Sequence, residues 1–454
     1  MSHLAPSAQD SQGFGYSPAD LRTLAQEVLA HAAGHGASAC EVDVSEAIGQ
    51  SVSVRRQEVE TIEYNRDKGL GVTVYLGQRR GHASSSDFSL AAAKSCVEAA
   101  LAIARFTAVD DCAGLPDREL LASATMELDL FHPWNLSVEN AIDLARACEQ
   151  AAFDVSPQID NSEGANVSAQ QSQFVSANSL GFMDGFSTTR HGISCSVIAA
   201  DGEEMQRDSW YASRRNARDF PSVASIGDYA ARRALSRLNG RRLSTRKCPV
   251  LFEAPLAIGL IGNFAHAISG GALYRKTSFL QNSLGTQIFP DYVQISERPH
   301  IPGAFASSPF DDDGVATHDR ELIRNGMLQG YFLSTYSARK LGMKTTGNAG
   351  GSHNLLVKPG EHDLAGLLRK MGTGLLVTEL LGQGVNYVTG DYSRGAAGFW
   401  VENGAIAYPV EEITIAGNLR EMLRNLVDIG NDIMIVGSKQ VGSILVEQMT
   451  VAGG

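Results

Sequence analysis

The chain has 454 residues, 43% hydrophobic and 19% charged, which supplies large apolar cores and excludes a disordered tail protein or a disulfide-stapled mini-domain. At about 100–200 residues per domain, two or three domains are expected. Lys and Arg number 38 against 50 Asp and Glu, a formal net charge of −12, which argues against whole-chain affinity for nucleic acid or an anionic membrane.

Residues 1–15 read as a disordered leader. No Lys or Arg precedes Arg22, so the basic start of an export signal is missing. The longest apolar stretches, such as 255–261, fall short of the roughly 20 residues that cross a bilayer. Cys40, Cys96, Cys112, Cys148, Cys195 and Cys248 form no CxxC pair. That usage predicts reduced, mostly buried thiols in a cytoplasmic protein.

Ser17, Pro18 and Asp20 open a helix, as N-cap, first-turn proline and early acid, and Gly34 and Gly36 end it. Period-two alternation predicts strands at 41–44 and 50–55, and a strand at 69–76 runs into a turn at 77–81. Helices follow at 90–105, capped near Ser86 or Asp87, and at 138–153, capped by Ser137. Strands return at 167–175, 192–198 and 205–211, then a helix at 226–238. The polar, basic stretch 239–247 marks a domain boundary. Beyond it, helices are expected only at 256–267, 364–370 and 419–427. The rest reads as short strands, with hairpin turns at Asn325-Gly326 and Asn403-Gly404.

Several short motifs suggest chemistry and fall short of it. His31 and His35 have the spacing of a zinc pair, but the Glu of HExxH is missing and no third ligand is implied, so no metal is assigned to them. Ser337 and Lys340 match SxxK, with a KTG-like Lys344-Thr-Thr-Gly347 too close behind. Residues 311–314 (DDDG) read as a solvated turn. Arg232, Arg233, Arg237, Arg241, Arg242, Arg246 and Lys247 make a basic run, read as a solvated linker. The glycine-rich loops 347–354, carrying His353, and 390–395 allow a ligand to approach the backbone.

Long blocks of the second half resemble the PmbA/TldE branch of the TldD/PmbA family, also known as peptidase family U62 or modulator of DNA gyrase. The blocks are 267–279 (AISGGALYRKTSF), 307–311 (SSPFD), 334–342 (STYSARKLG), 371–379 (MGTGLLVTE), 384–402 (GVNYVTGDYSRGAAGFWVE) and 412–418 (EITIAGN). The first half fits more loosely, through 69–81 and the helix after it. The resemblance implies a cytoplasmic protease of short or unfolded peptides built from two related chains. The TldD-type chain carries zinc on a HExxxH helix, completed by a distant Cys. The equivalent stretch here is Gly262-Asn-Phe-Ala-His-Ala267. Gly262 and Ala267 replace the two His, Asn263 replaces the Glu, and Gln440-Val441-Gly442 stands where the Cys is expected. Glycine and alanine offer no side-chain ligand, and an amide cannot act as a carboxylate base.

The expected fold is α+β in two domains. An N-terminal mixed α/β domain spans 16–240, and a C-terminal sheet-rich, barrel-like domain spans 241–454. The resemblance implies a subunit with no catalytic or metal-binding residue of its own, no cofactor in this chain, and zinc in a TldD-type partner. Asn263, His266, His353, Asp391, Tyr392 and Arg394 are the expected substrate-cleft residues, for peptides held by strand addition. Alone, the chain is expected to pair with itself. The alternative is a regulatory binding protein without proteolytic role; a Ser337/Lys340 peptidase is a third reading.

Overall fold

The computed structural model describes residues 13–123 and 126–453. Two compact units divide the chain, Met1–Leu235 with Pro309–Ala316, and Ser236–Ser308 with Thr317–Gly454.

The first unit opens on α1 (Pro18–Gly34). Ser17 Oγ accepts from the Asp20 amide while Asp20 accepts from the Ser17 amide, a closed capping box. Strands β1 (Ala39–Arg55), β2 (Glu58–Leu76) and β3 (Arg79–Ser85) follow, then α2 (Leu90–Phe106), capped by Ser89. Next come α3 (Val138–Phe153), capped by Ser137, then β4 (Ile159–Asn178), β5 (Met183–Asp184), β6 (Ser187–Asp201), β7 (Glu204–Arg214) and α4 (Val223–Ser236). The strands form one antiparallel sheet in the order β3-β2-β1-β4-β6-β7, with β5 on β4. Alternating Val42 and Val44 of β1 and Leu70, Val72 and Val74 of β2 meet Leu21, Leu24 and Val28 of α1 and Val97 and Leu101 of α2.

The two strands expected at 41–44 and 50–55 are one. The half-buried stretch between them pairs on both sides, Ser45 with Gly69 and Phe174, Gly49 with Asn65 and Gln170. Two flanking ladders hold what local alternation did not signal. The leader expectation is also corrected. Residues 1–12 lie outside the described residues, but Phe14 is fully buried, and the Gly15 amide donates to Glu46 Oε1 at 2.8 Å. Glu46, itself buried, accepts from Tyr16 as well. The DDDG turn is not solvated throughout. Asp311 is buried and accepts from the amides of Asp313 and Val315, while Phe310 packs on Phe174, Phe182 and Phe186 of the first unit. No local signal marks Pro309–Ala316 as a return to that unit.

One carboxylate links this unit to pH. Burial lifts the Glu41 carboxyl to about 7; the Tyr75 hydroxyl, donating at 3.0 Å, pulls the other way, and Asp313 pushes it up again. The folded value exceeds the unfolded one, so the folded chain holds this proton longer. The resulting stability is complete below about pH 4.5 and is lost as pH rises through 7, up to about 2–3 kcal/mol. Glu41→Gln is therefore expected to stabilise the protein at pH 8 and to flatten the slope between pH 5 and 8 in denaturant titrations. An unchanged slope would refute the assignment.

The second unit begins with β8 (Arg246–Phe252), α5 (Ala254–Ala267) and α6 (Gly270–Tyr274). Strands β9 (Ile295–Glu297), β10 (Arg320–Arg324) and β11 (Met327–Leu328) precede α7 (Thr335–Lys340), β12 (Leu355–Val357) and α8 (Leu364–Met371). Then come β13 (Gly374–Leu381), β14 (Asp391–Glu402), β15 (Ala405–Asn418), α9 (Leu419–Arg424), β16 (Leu426–Ile429), β17 (Met434–Val436), β18 (Lys439–Val441) and β19 (Ile444–Gly453). The expected hairpins are present, with Asn325 and Asn403 at positive φ before their glycines. The short helices α6 and α7 were not anticipated; five and six residues are too few for a readable period.

Strands β15-β14-β13-β8-β19 run round and close on themselves, because β15 also pairs with β19. This is the barrel the sequence suggested. Val250 and Phe252 share the large core with Leu375, Val377, Ile413 and Val446, while Leu251, between them, joins the separate cluster of α8, Leu367, Leu368 and Met371. A second sheet runs β11-β10-β9-β12-β18-β17. Helix α5 contacts β8 and β13 of the barrel and β17 and β18 of the second sheet. No disulfide joins the six cysteines, of which five are buried and Cys112 partly so. No helix among the described residues is long and apolar enough to cross a membrane.

Candidate functional site

Helix α5 carries Gly262, Asn263 and His266, and its packing against β18 sets what faces them. The Asn263 Oδ1 accepts from the Tyr387 hydroxyl at 2.8 Å, and the exposed His266 ring lies against the Tyr387 ring at 4.1 Å. Burial pushes the Tyr387 phenol up, and the nearby Arg394 charge partly offsets this. Tyr387 thus joins three expected cleft residues, Asn263, His266 and Arg394. It lies within the GVNYVTGDYSRG block and was not singled out, because its sequence neighbours say nothing of α5.

Also on α5, a Cβ placed on Gly262 would meet Lys439 Cε at 3.7 Å. Lys439 is half-buried, donates to Ser438 Oγ at 3.4 Å and makes no ion pair among the described residues. Burial pulls its ammonium below the ordinary lysine value. Sequence reading also passed over this residue, although it directly precedes Gln440.

The remaining expected residues do not join this group. Asp391 is exposed and accepts from Thr389 and Asn418. Tyr392 is corrected: it is 2% exposed within the core, and burial pushes its phenol up to about 12. His353 is corrected too. Its ring is buried and bonds the Gly347 carbonyl at 2.9 Å, and its amide donates to the buried Glu297 carboxylate at 2.8 Å. In the 347–354 loop His353, Asn348 and Asn354 are buried and only the Gly350-Gly351 tip is exposed, so His353 does not face an open ligand loop.

The other motifs resolve as structure. Ser337 is 4% exposed and closes the capping box of α7 with Ser334. Lys340 lies over the Tyr336 ring at 5.3 Å. A buried capping serine has no access to substrate, so the Ser337/Lys340 nucleophile is not supported. In the basic run, Arg232 pairs with Asp228, Arg233 with Asp208, Arg237 with Glu379 and Arg242 with Glu412. Arg241 lies over Tyr408 and Arg246 over Trp400, so the stretch is partnered and not a free linker.

A zinc ion does not fit the α5 position. Gly262 and Ala267 supply no side-chain donor. Ala267 faces the core at 0% exposure, as does Val441, and a lysine side chain rather than a cysteine lies nearest Gly262.

The first unit holds a cleft of about 610 Å³ lined by Ile48, Gln50, Tyr64, Arg66, Trp134 and His191. His191 is 2% exposed, and its Nδ1 and the Gln50 Nε2 are buried without a hydrogen-bond partner among the described residues. Beside it, among the described residues, β3 pairs only with Leu70–Leu76 of β2, and the part of β2 before Leu70 has β1 as its one paired neighbour. Val59, Ile62 and Tyr64 are exposed along that edge.

The two units and the closed barrel coincide with three family profiles. PmbA/TldA metallopeptidase domain 1 matches 40–104, the central domain 131–238 and the C-terminal domain 245–453. The chain belongs to the PmbA/TldD metallopeptidase family. In particular, it is 48% identical over 435 residues to the Metalloprotease PmbA homolog of Haemophilus influenzae, covering 96% of each chain. The Metalloprotease TldD homolog of the same organism is 22% identical over 384 residues, covering 80% of this chain and 79% of that one. Among solved structures, a Bacteroides thetaiotaomicron protein described as a modulator of DNA gyrase superposes with TM-score 0.90 at 27% identity, covering 95% of this chain and 99% of that one. TldE from Thermococcus kodakarensis shares the fold, with TM-score 0.80 at 18% identity, covering 95% of this chain and all of that one.

Proposed function

We propose that this chain is the metal-free, TldE-type subunit of a cytoplasmic heteromeric protease, paired with a zinc-bearing TldD-type chain, that processes short or unfolded peptides. The observation that carries the reading is the α5 position: no zinc ligand at 262 or 267, and Lys439 against Gly262. One organism carrying both a PmbA homolog and a TldD homolog supports the pairing. The subunit's part is to hold substrate. Asn263, His266, Tyr387 and Arg394 offer polar contacts, and the Lys439 ammonium suits a peptide carboxylate. The open β2 edge suits an extended peptide held by main-chain hydrogen bonds. In the absence of its partner the chain pairs with itself, because related subunits present related surfaces.

The chain alone is expected to hydrolyse no peptide. Mixed with a TldD-type chain, it is expected to give chelator-sensitive turnover. Lys439→Met in the pair should raise KM about tenfold for peptides with a free carboxylate while leaving kcat unchanged. Chelator-sensitive hydrolysis by the chain alone would overturn the metal-free reading; an unchanged KM would remove Lys439 from the site.

The gyrase-type regulatory alternative rests on the basic run, and six of its seven cations already have partners. A DNA shift assay is expected to find no binding at low salt, where phosphate contacts are strongest.

A further inference from the structure

Two imidazoles and a carboxylate of the first unit converge at the end of α1. His31 lies in the last turn of α1, and His35 is its C-cap. Glu98 comes from α2. The helices are neighbours because Val28 and Ala32 of one and Val97 and Leu101 of the other bury in a single core. That packing brings Glu98 Oε1 to 3.4 Å from His31 Nε2. One donor atom from each of the three residues lies within 4.8 Å of the others. The spacing of His31 and His35 in the sequence implied no third ligand; the neighbouring helix provides it.

The ring orientations suit ligation. His35 Nδ1 bonds the His31 carbonyl at 2.8 Å, which fixes its tautomer and leaves the Nε2 lone pair outward. The two rings lie 3.9 Å apart, tilted by 39°. A favourable interaction with the helix dipole explains histidines at a C-terminus. It does not explain a carboxylate from a second helix turned to the same point. Nor is Glu98 held there by burial, since its side chain is 60% exposed.

We propose that His31, His35 and Glu98 form a binding site for a divalent transition metal, Zn²⁺ foremost, with three protein ligands and a water in the fourth position. Two imidazoles and one carboxylate suit Zn²⁺, Co²⁺ or Ni²⁺, and offer too few oxygens for Mg²⁺ or Ca²⁺. His35 and Glu98 are both exposed, so their side chains are free to close on an ion. A bound ion ties the last turn of α1 to α2. The site is built wholly from the first unit, and it stands whether or not the second unit works as proposed above.

The test uses the full chain, stripped with chelator and titrated with Zn²⁺ by calorimetry, with Mg²⁺ in parallel. One Zn²⁺ per chain in the micromolar range is expected, with a rise in melting temperature and no Mg²⁺ response. His35→Ala and Glu98→Ala, both at exposed positions, should each weaken binding at least about tenfold. Cys112→Ser should not, which separates this site from adventitious thiol binding. Should a variant fold poorly by circular dichroism, His35→Gln and Glu98→Gln replace the alanines. No Zn²⁺ binding, or binding of equal affinity in the His35 and Glu98 variants, overturns the proposal.

Discussion

Glu297→Ala is expected to lower the unfolding free energy by about 3–5 kcal/mol. Glu297 is 1% exposed, and its two oxygens bind four donors. Oε2 accepts from Arg320 Nη2 at 2.6 Å and Nε at 3.0 Å, and Oε1 accepts from Asn348 Nδ2 and the His353 amide, each at 2.8 Å. Glu297 is also the residue at which β9 pairs with Arg320 of β10 and Leu355 of β12. Removing the carboxylate strands a largely buried guanidinium and two donors together, and an unpaired buried charge is far worse than an absent pair. Glu297→Gln keeps the shape but turns an NH₂ toward donors, so it should recover little. Arg320→Met, combined with Glu297→Met, removes both charges and should cost less than either alone. Urea titration of these five variants, the two single Met changes included, tests this. A loss under about 1 kcal/mol for Glu297→Ala would mean the network is not a structural hinge of the 347–354 loop.

Gly398→Ala is expected to be at least as damaging, more than about 4 kcal/mol, and to reduce soluble yield. A Cβ at Gly398 would lie 1.9 Å from the Leu376 carbonyl oxygen and 3.0 Å from Val377 Cα. Both are backbone atoms of β13 and cannot withdraw without opening the ladder. The position sits at register shifts on both sides, between Val377 and Glu379 of β13 and between Ala396 and Gly398 of β14. Such bulges bend a strand and allow a small sheet to close. The same substitution at Gly259 provides the opposite sign. Gly259 lies inside α5, a Cβ there meets nothing within 4 Å, and Gly259→Ala should stabilise by about 0.5–1 kcal/mol. Equal effects at the two sites would show that side-chain clash is not what makes Gly398 necessary.

Local features were legible in the sequence because they are set by neighbours within one turn or one pleat. Ser17, Ser137 and the Asn-Gly pairs act on amides two to four residues away, and those helices and hairpins lie where expected. That Gly262 and Ala267 offer no side-chain ligand was also readable, since a residue's chemistry needs no coordinates. The cap of α2 was misplaced, at Ser86 or Asp87 instead of Ser89, because three acceptors compete within four residues.

What only the tertiary structure decided lies at long range. Apolar periodicity indicated the α+β class, and the long blocks of the second half pointed to the family by resemblance. They carried no information on which buried residue faces which. Tyr392 and His353 look like site residues in a glycine-rich polar context, yet one lies in the core and the other on a buried carboxylate 56 positions away. Lys439 reaches Gly262, and Glu98 reaches His31, only because separate apolar faces pack and place their polar neighbours side by side. A packing decision of that kind depends on complementary surfaces distant in sequence, which no local period encodes.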